Sequence, residues 1–269
     1  MAGSNAEDKK RKPATGRRAT RPRALGVAAP EAIVQLEDDP QRWKAARPRT
    51  LVDHAVDSIL SAASRGLILP GDRLSEPDLA AHLGMSRVPI REALRILESQ
   101  SIVTSEPYKG IRLMEVSKQR LEHIIDVRVA IETLAACRAI EAGRNGPTQI
   151  RQLDAAIEEL VLMAQRNDTY HFAAADTAFH RILCGFALNP VLDTLWESIS
   201  RQLTVLFGLS TIGKPMKTII HEHRALAAVF ISGDIAMMRK ELEDHIRVQS
   251  LDVNYEEIIA ERRRERGDP

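Results

Sequence analysis

Asp176 and His180 stand four residues apart in the stretch DTAFH, within apolar spacing that is helical. On a helix that spacing brings a carboxylate and an imidazole to one point. The same spacing also serves an ordinary surface or capping pair. Further on, His223 in HEHRAL and His245 in ELEDHI are separated by a Ser-Gly-Asp break at 232–234. That arrangement suits two antiparallel helices facing each other. His221, two residues from His223, points elsewhere on the helix. A different chemistry is offered by Arg87, Arg91 and Arg95, at i, i+4 and i+8 on one stripe. The opposite face carries Ile90, Ala93, Leu94 and Leu97. Guanidinium groups on a solvated helix face suit planar acceptors, guanine edges in particular.

These residues need elements to hold them. TLVDHAVDSILSAASRGLI has helical apolar spacing and is closed by Arg65-Gly66. Pro70-Gly71 makes a turn. Ser75 can cap a helix with Pro77 in its first turn, and Gly84 stops it. Ser86 can cap the next helix. Pro89 then falls at its third position, where a missing N–H loses no intrahelical bond. After Gln100, IVTSEPYKGIRL reads as two short strands around a Pro-Tyr-Lys-Gly turn. Helix, helix, tight turn, helix and hairpin make a winged helix-turn-helix, with Arg87 and Arg91 at the end that enters the major groove. From 118 onward only helices are expected, at roughly 118–143, 147–166, 168–186, 190–208, 215–232 and 234–260, broken by Gly, Pro and Asn. The fold class is mainly α: an N-terminal winged helix-turn-helix and a C-terminal all-helical bundle.

The first 30 residues hold eight Lys and Arg against Glu7 and Asp8, although the whole chain nets +1. A basic tail over 1–46 is expected to be disordered and to attract phosphates. No apolar run approaches the roughly 20 residues of a membrane span, and the basic start lacks the apolar stretch of a secretory signal. Cys137 and Cys184 have no ligand or disulfide spacing, so buried reduced thiols in a cytoplasmic protein are expected.

The run GLILPGDRLSEPDLAAHLGMSRVPIREALRILESQSIV, with YKGIRL, resembles the N-terminal domain of GntR-family bacterial transcription regulators. That resemblance implies operator contacts from Ser86, Arg87, Arg91 and Gly110. It also marks two departures. Pro77 stands where some relatives carry a DNA-contacting arginine, and Ser101 replaces a glycine usual after the recognition helix. If the backbone at Ser101 is left-handed, its side chain costs about 1 kcal/mol. DTAFH, the Glu-His at 222–223 and MRKELEDHI resemble the FCD domain of the FadR subfamily. The resemblance implies a divalent metal (zinc, nickel or manganese) held by Asp176, His180, His223 and His245. It further implies a homodimer and a small organic-acid effector. An ion with octahedral preference keeps two positions open beside four protein ligands, whereas zinc is more often satisfied with four. Arg128 matches a pocket arginine of the family and could neutralise a second acid group, or pair with Glu132 at i+4 instead.

The resulting division is a tail at 1–46, a DNA-binding domain at 47–117, and an effector-binding and dimerisation domain at 118–269. The expected function is a ligand-responsive transcription regulator, a repressor of double-stranded operator DNA, with no membrane partner. The alternative is a metal-dependent hydrolase fused to a DNA-binding domain. Against it, there is no His-Glu-x-x-His, and Glu222 turns about 100° away from His223 on a helix.

Overall fold

Thr50 starts the first helix, α1 (Leu51–Ser64), by a reciprocal cap. Its hydroxyl accepts the Asp53 N–H at 3.1 Å, and the Asp53 carboxylate accepts the Thr50 N–H at 3.0 Å. The computed structural model describes residues 49–106, 108 and 110–267. The basic tail expected at 1–46 lies outside the described residues. After α1 come β1 (Arg73–Leu74), α2 (Glu76–Leu83), α3 (Arg87–Ser99), β2 (Val103–Glu106) and β3 (Gly110–Leu113). The strands form an antiparallel sheet of order β1-β3-β2, with Leu74 opposite Ile111 and Thr104 opposite Arg112. The hairpin matches its sequence pattern. The two-residue β1 has too little pattern to be read from sequence.

Capping explains the tight turn between α2 and α3. Ser75 accepts the Asp78 N–H, and Gly84 ends α2 in the left-handed region at φ 63°. Ser86 occupies the cap position of α3, but its hydroxyl makes no capping bond. Pro89 is buried in the first turn, and Ile90, Ala93, Leu94 and Leu97 form the inward face expected of them. Ser101 has φ 56°, so the left-handed backbone usual for glycine is kept at the cost of a side chain.

The rest of the chain is helical: α4 (Lys118–Glu141), α5 (Pro147–Gln165), α6 (Thr169–Gly185), α7 (Pro190–Gly213), α8 (Met216–Ser232) and α9 (Ile235–Glu243). A π-helical segment (Asp244–Val248), a short α10 (Gln249–Leu251) and α11 (Tyr255–Arg266) follow. Two expected boundaries are wrong. The helix expected to stop at Gly208 runs on to Gly213. Gly208 is not a breaker but a point of contact. A Cβ added there would lie 2.4 Å from the Ser64 Cβ and 2.7 Å from the Ser64 carbonyl oxygen. Ser64 in turn donates its hydroxyl to the carbonyls of Leu60 at 2.8 Å and Thr204 at 3.2 Å. The helix expected over 234–260 is instead interrupted twice. It widens into the π segment at Asp244, then stops before Asn254, whose side chain caps α11 through the Glu257 N–H.

Winged helix and bundle share one apolar cluster. Ala55, Ile59, Leu60 and Leu94 pack in the same cluster as Trp196, Leu203, Leu206 and Leu209 of α7. The end of α3 is also tied by hydrogen bonds. Gln202 donates to the Gln100 carbonyl at 2.9 Å, and Arg120 donates to the Ser101 carbonyl at 2.8 Å. A second cluster, including Phe172, Phe179, Leu226, Phe230 and Leu242, fills the space among α4, α5, α6, α8 and α9. Cys137 and Cys184 are buried free thiols.

Candidate metal centre and DNA-reading face

Four helical elements aim polar side chains into the apolar bundle. α6, started by the Asp168 side chain on the His171 N–H, supplies Asp176 and His180. α8 supplies His223, the π segment supplies His245, and α4 supplies Arg128 and Glu132. All six are buried. The structure therefore brings Asp176, His180, His223 and His245 together with Arg128.

The second ring nitrogens decide what the histidines can do. His180 Nδ1 lies 2.7 Å from Glu132 Oε2, and His223 Nδ1 lies 2.8 Å from the Ile219 carbonyl oxygen. Both partners accept, so each Nδ1 carries the proton and each neutral ring turns a bare Nε2 lone pair toward the centre. His245 Nε2 comes within 3.2 Å of His180 Nε2. Asp176 Oδ1 lies 3.7 Å from His180 Nε2 and 3.5 Å from His223 Nε2, and neither Asp176 Oδ1 nor His223 Nε2 has a hydrogen-bond partner. Buried polar atoms are seldom left so. Ligands about 2.1 Å from a common ion sit about 3.0–3.4 Å apart, close to what is seen. One ligand atom from each of the three histidines falls within a 4.8 Å span. The donor set fits a divalent ion: three imidazoles, one carboxylate, and carboxylate or carbonyl support behind two of the rings.

Charge is balanced around the same point. Burial disfavours the charged form of every group here. It lowers His180 despite Glu132, and it lowers His245 strongly, with His223 and His180 adding to the effect. Burial opposes ionisation of Asp176 and Glu132 too, yet His223 beside Asp176 and Arg128 beside Glu132 hold both below the usual carboxylate range. For His223, Asp176 overcomes burial and raises the pKa. Two neutral imidazoles and a retained carboxylate are the protonation states a metal requires.

Glu132 was visible in the sequence only as an i+4 partner for Arg128; its support of His180 was not. Arg128 makes the i+4 pair with Glu132 and also faces the cavity. Its Nε donates to Glu132 Oε1 at 2.7 Å, its Nη2 has no partner, and it lines the cavity beside the histidines. Phe207 stacks 4.9 Å from the guanidinium carbon. The cavity, of about 40 Å³, is completed by Lys214, Glu222, Ser250, Val253 and Tyr255. That suffices for two or three water-sized groups. Lys214 pairs with Glu222 at 2.7 Å. None of these residues carries a spacing signal, because they come from four separate segments.

At the other end, Ser86 and Arg87 are exposed at the start of α3, beside the exposed Val88. Arg91 is exposed as well, but it is paired with Glu76 of α2 at 3.1 Å. Gly110 sits at φ 80° where the hairpin returns, and Tyr108 stands fully exposed at its tip.

A winged helix-turn-helix ahead of a helical bundle with such a centre defines a DNA-binding transcription regulator. The model of bacterial regulatory proteins of the gntR family matches residues 51–113, and that of the FCD domain matches 123–248. A "Probable D-xylose utilization operon transcriptional repressor" of Paenarthrobacter nicotinovorans is 25% identical over 197 residues, 73% of this chain and 86% of that protein. An HTH-type transcriptional regulator from the TAR-I ttuE-ttuC' intergenic region of Agrobacterium vitis is 34% identical over 139 residues, 51% of this chain and 80% of its own. The solved E. coli McbR/YncC matches the fold with a TM-score of 0.63 at 23% identity, covering 77% of this chain and 98% of that one. The chain belongs to the GntR family and carries an FCD domain. Its relatives are transcription regulators, which disfavours the hydrolase alternative. Among the described residues no helix is long and apolar enough to cross a membrane.

Proposed function

We propose that this regulator is a repressor whose grip on operator DNA answers to a small organic acid bound at a divalent ion in the bundle. The observation that carries the reading is the convergence of His180, His223 and His245, with Asp176 Oδ1 beside the first two and with Asp176 Oδ1 and His223 Nε2 unpartnered. Asp176, His180, His223 and His245 hold the ion, which is zinc, nickel or manganese. The ion supplies a Lewis-acid anchor for a carboxylate in otherwise apolar surroundings. Arg128, whose Nη2 has no partner, receives a second anionic group. Elemental analysis of protein purified without chelator tests this: about one equivalent per chain is expected, and less than a tenth, with no uptake of added zinc, nickel or manganese, rejects it.

Proton competition gives that ion a pH dependence. A metal takes the Nε2 lone pair of His223 only when the ring is neutral, and Asp176 favours its protonated form. A raised pKa moves the competition upward in pH. Metal affinity should therefore begin to fall above the ordinary histidine value of about 6.5 as the solution is acidified. Isothermal titration with zinc at several pH values checks the sign.

Residues 47–117 form the reading head in this scheme, and 118–269 the effector-binding and dimerisation part. Exposed apolar side chains at Val127 and Leu134 on α4, and at Leu188, Val191 and Leu195 where α7 begins, support pairing with a second copy. A homodimer reads a palindromic operator, in the cytoplasm where the chromosome lies. Ser86, Arg87, Arg91 and Gly110 are the assigned DNA contacts. Arg87→Ala should weaken operator binding by about 1–3 kcal/mol and relax preference at one base. Titration against operator variants measures both. Arg91 must either leave Glu76 or contact DNA with the nitrogen that pair leaves exposed.

A further inference from the structure

The segment after the π turn lies outside both family matches, which end at 113 and 248. Its first part roofs the cavity: Val253 and Tyr255 both line it, and Tyr255 is buried. Its last part is fastened to the winged helix. Arg263 donates to the Pro70 carbonyl at 2.7 Å and pairs with Asp72 at 3.3 Å. Arg266 donates to the same carboxylate at 3.1 Å and reaches the Leu67 carbonyl at 3.4 Å. Between these ends α11 is wedged against α7, where Ile258 comes within 3.0 Å of a Cβ placed on Gly213.

Asp72 is a sensitive place to hold. Its carboxylate accepts the Leu69 N–H at 2.9 Å, and its carbonyl accepts the Leu113 N–H at 3.0 Å. It immediately precedes β1, which pairs with β3, the strand that begins at Gly110 in the wing. A continuous line thus runs from His245 through Tyr255 and α11 to Arg263, Arg266, Asp72 and the sheet.

We propose that α11 is a strap through which occupancy of the metal cavity sets the position and order of the wing. The roof and the clamp are two ends of one twelve-residue helix, so a shift of Tyr255 is delivered to Asp72 with little loss. This rests on the metal reading above, and it assigns to Arg263 and Arg266 a role in communication rather than in binding metal or DNA.

Hydrogen exchange of full-length protein, with and without added zinc, tests it. In the wild type, zinc should slow exchange at 244–255 and also at 67–74 and 103–113, each by about five-fold or more. In the double variant Arg263→Gln/Arg266→Gln, zinc uptake and protection at 244–255 should persist, while 67–74 and 103–113 stop responding. Asp72→Asn breaks the clamp from the other side and should give the same split, which guards against misfolding of either variant. If 244–255 responds in the wild type but the sheet does not, the strap is wrong and the metal reading stands. It is equally wrong if the folded variants transmit protection as the wild type does. If zinc is not taken up at all, the metal reading falls and the strap with it.

Discussion

His180→Ala is expected to lower metal affinity by at least about 100-fold and to remove the metal-dependent part of thermal stability. The side chain is at the middle of the centre: its Nε2 faces Asp176 and His245, and its Nδ1 rests on Glu132. Truncation removes a ligand and leaves Glu132 with Arg128 alone. Glu132→Gln makes a useful companion. It keeps the shape of the side chain but takes the countercharge from a guanidinium that is 2% exposed. Losing one partner of a buried pair costs about 3–5 kcal/mol. The two variants should therefore differ in kind. His180→Ala loses the stability gained on adding metal, whereas Glu132→Gln is less stable even without it. Melting curves of chelator-treated and metal-loaded protein separate the two, and a metal-dependent rise in melting temperature retained in full by His180→Ala would falsify its place among the ligands.

Gly208→Ala should destabilise the protein by about 3 kcal/mol, because the added methyl meets the Cβ and backbone of Ser64 in α1 and not the far end of a flexible side chain. In a body of this size that corresponds to a fall of roughly 6–12 °C in melting temperature. Gly185→Ala, also helical but with open space around its Cβ, is the control and should be neutral or slightly stabilising. Equal behaviour of the two would show that α1 and α7 do not touch as closely as described.

Gly208 also shows where sequence reading stops. Glycine in a helical pattern signals either a break or a close approach, and only the neighbouring helix distinguishes them. The winged helix was legible nearly residue by residue, since caps, Gly84 and the alternating hairpin are local signals. The four candidate ligands were legible because Asp176 and His180 share a helix face and the family pattern supplied the others. The support Glu132 gives His180, and the arrival of Lys214 and Tyr255 at the cavity, were not, since they depend on how separate segments pack. The π turn was equally hidden. ELEDHIRVQS continues a helical apolar pattern, and nothing local says that one turn will widen.

That turn makes the gene vulnerable in one short place. A π turn accommodates one residue more than an α turn, so the chain beyond Val248 is rotated by about 100° relative to an uninterrupted helix. Loss of a single codon within 244–248 would let ordinary helix re-form. His245 and Ser250, on the short helix that continues directly from the π segment, could then no longer both face the cavity: keeping one in register would swing the other away. Here one codon decides whether His245 and Ser250 line the same cavity.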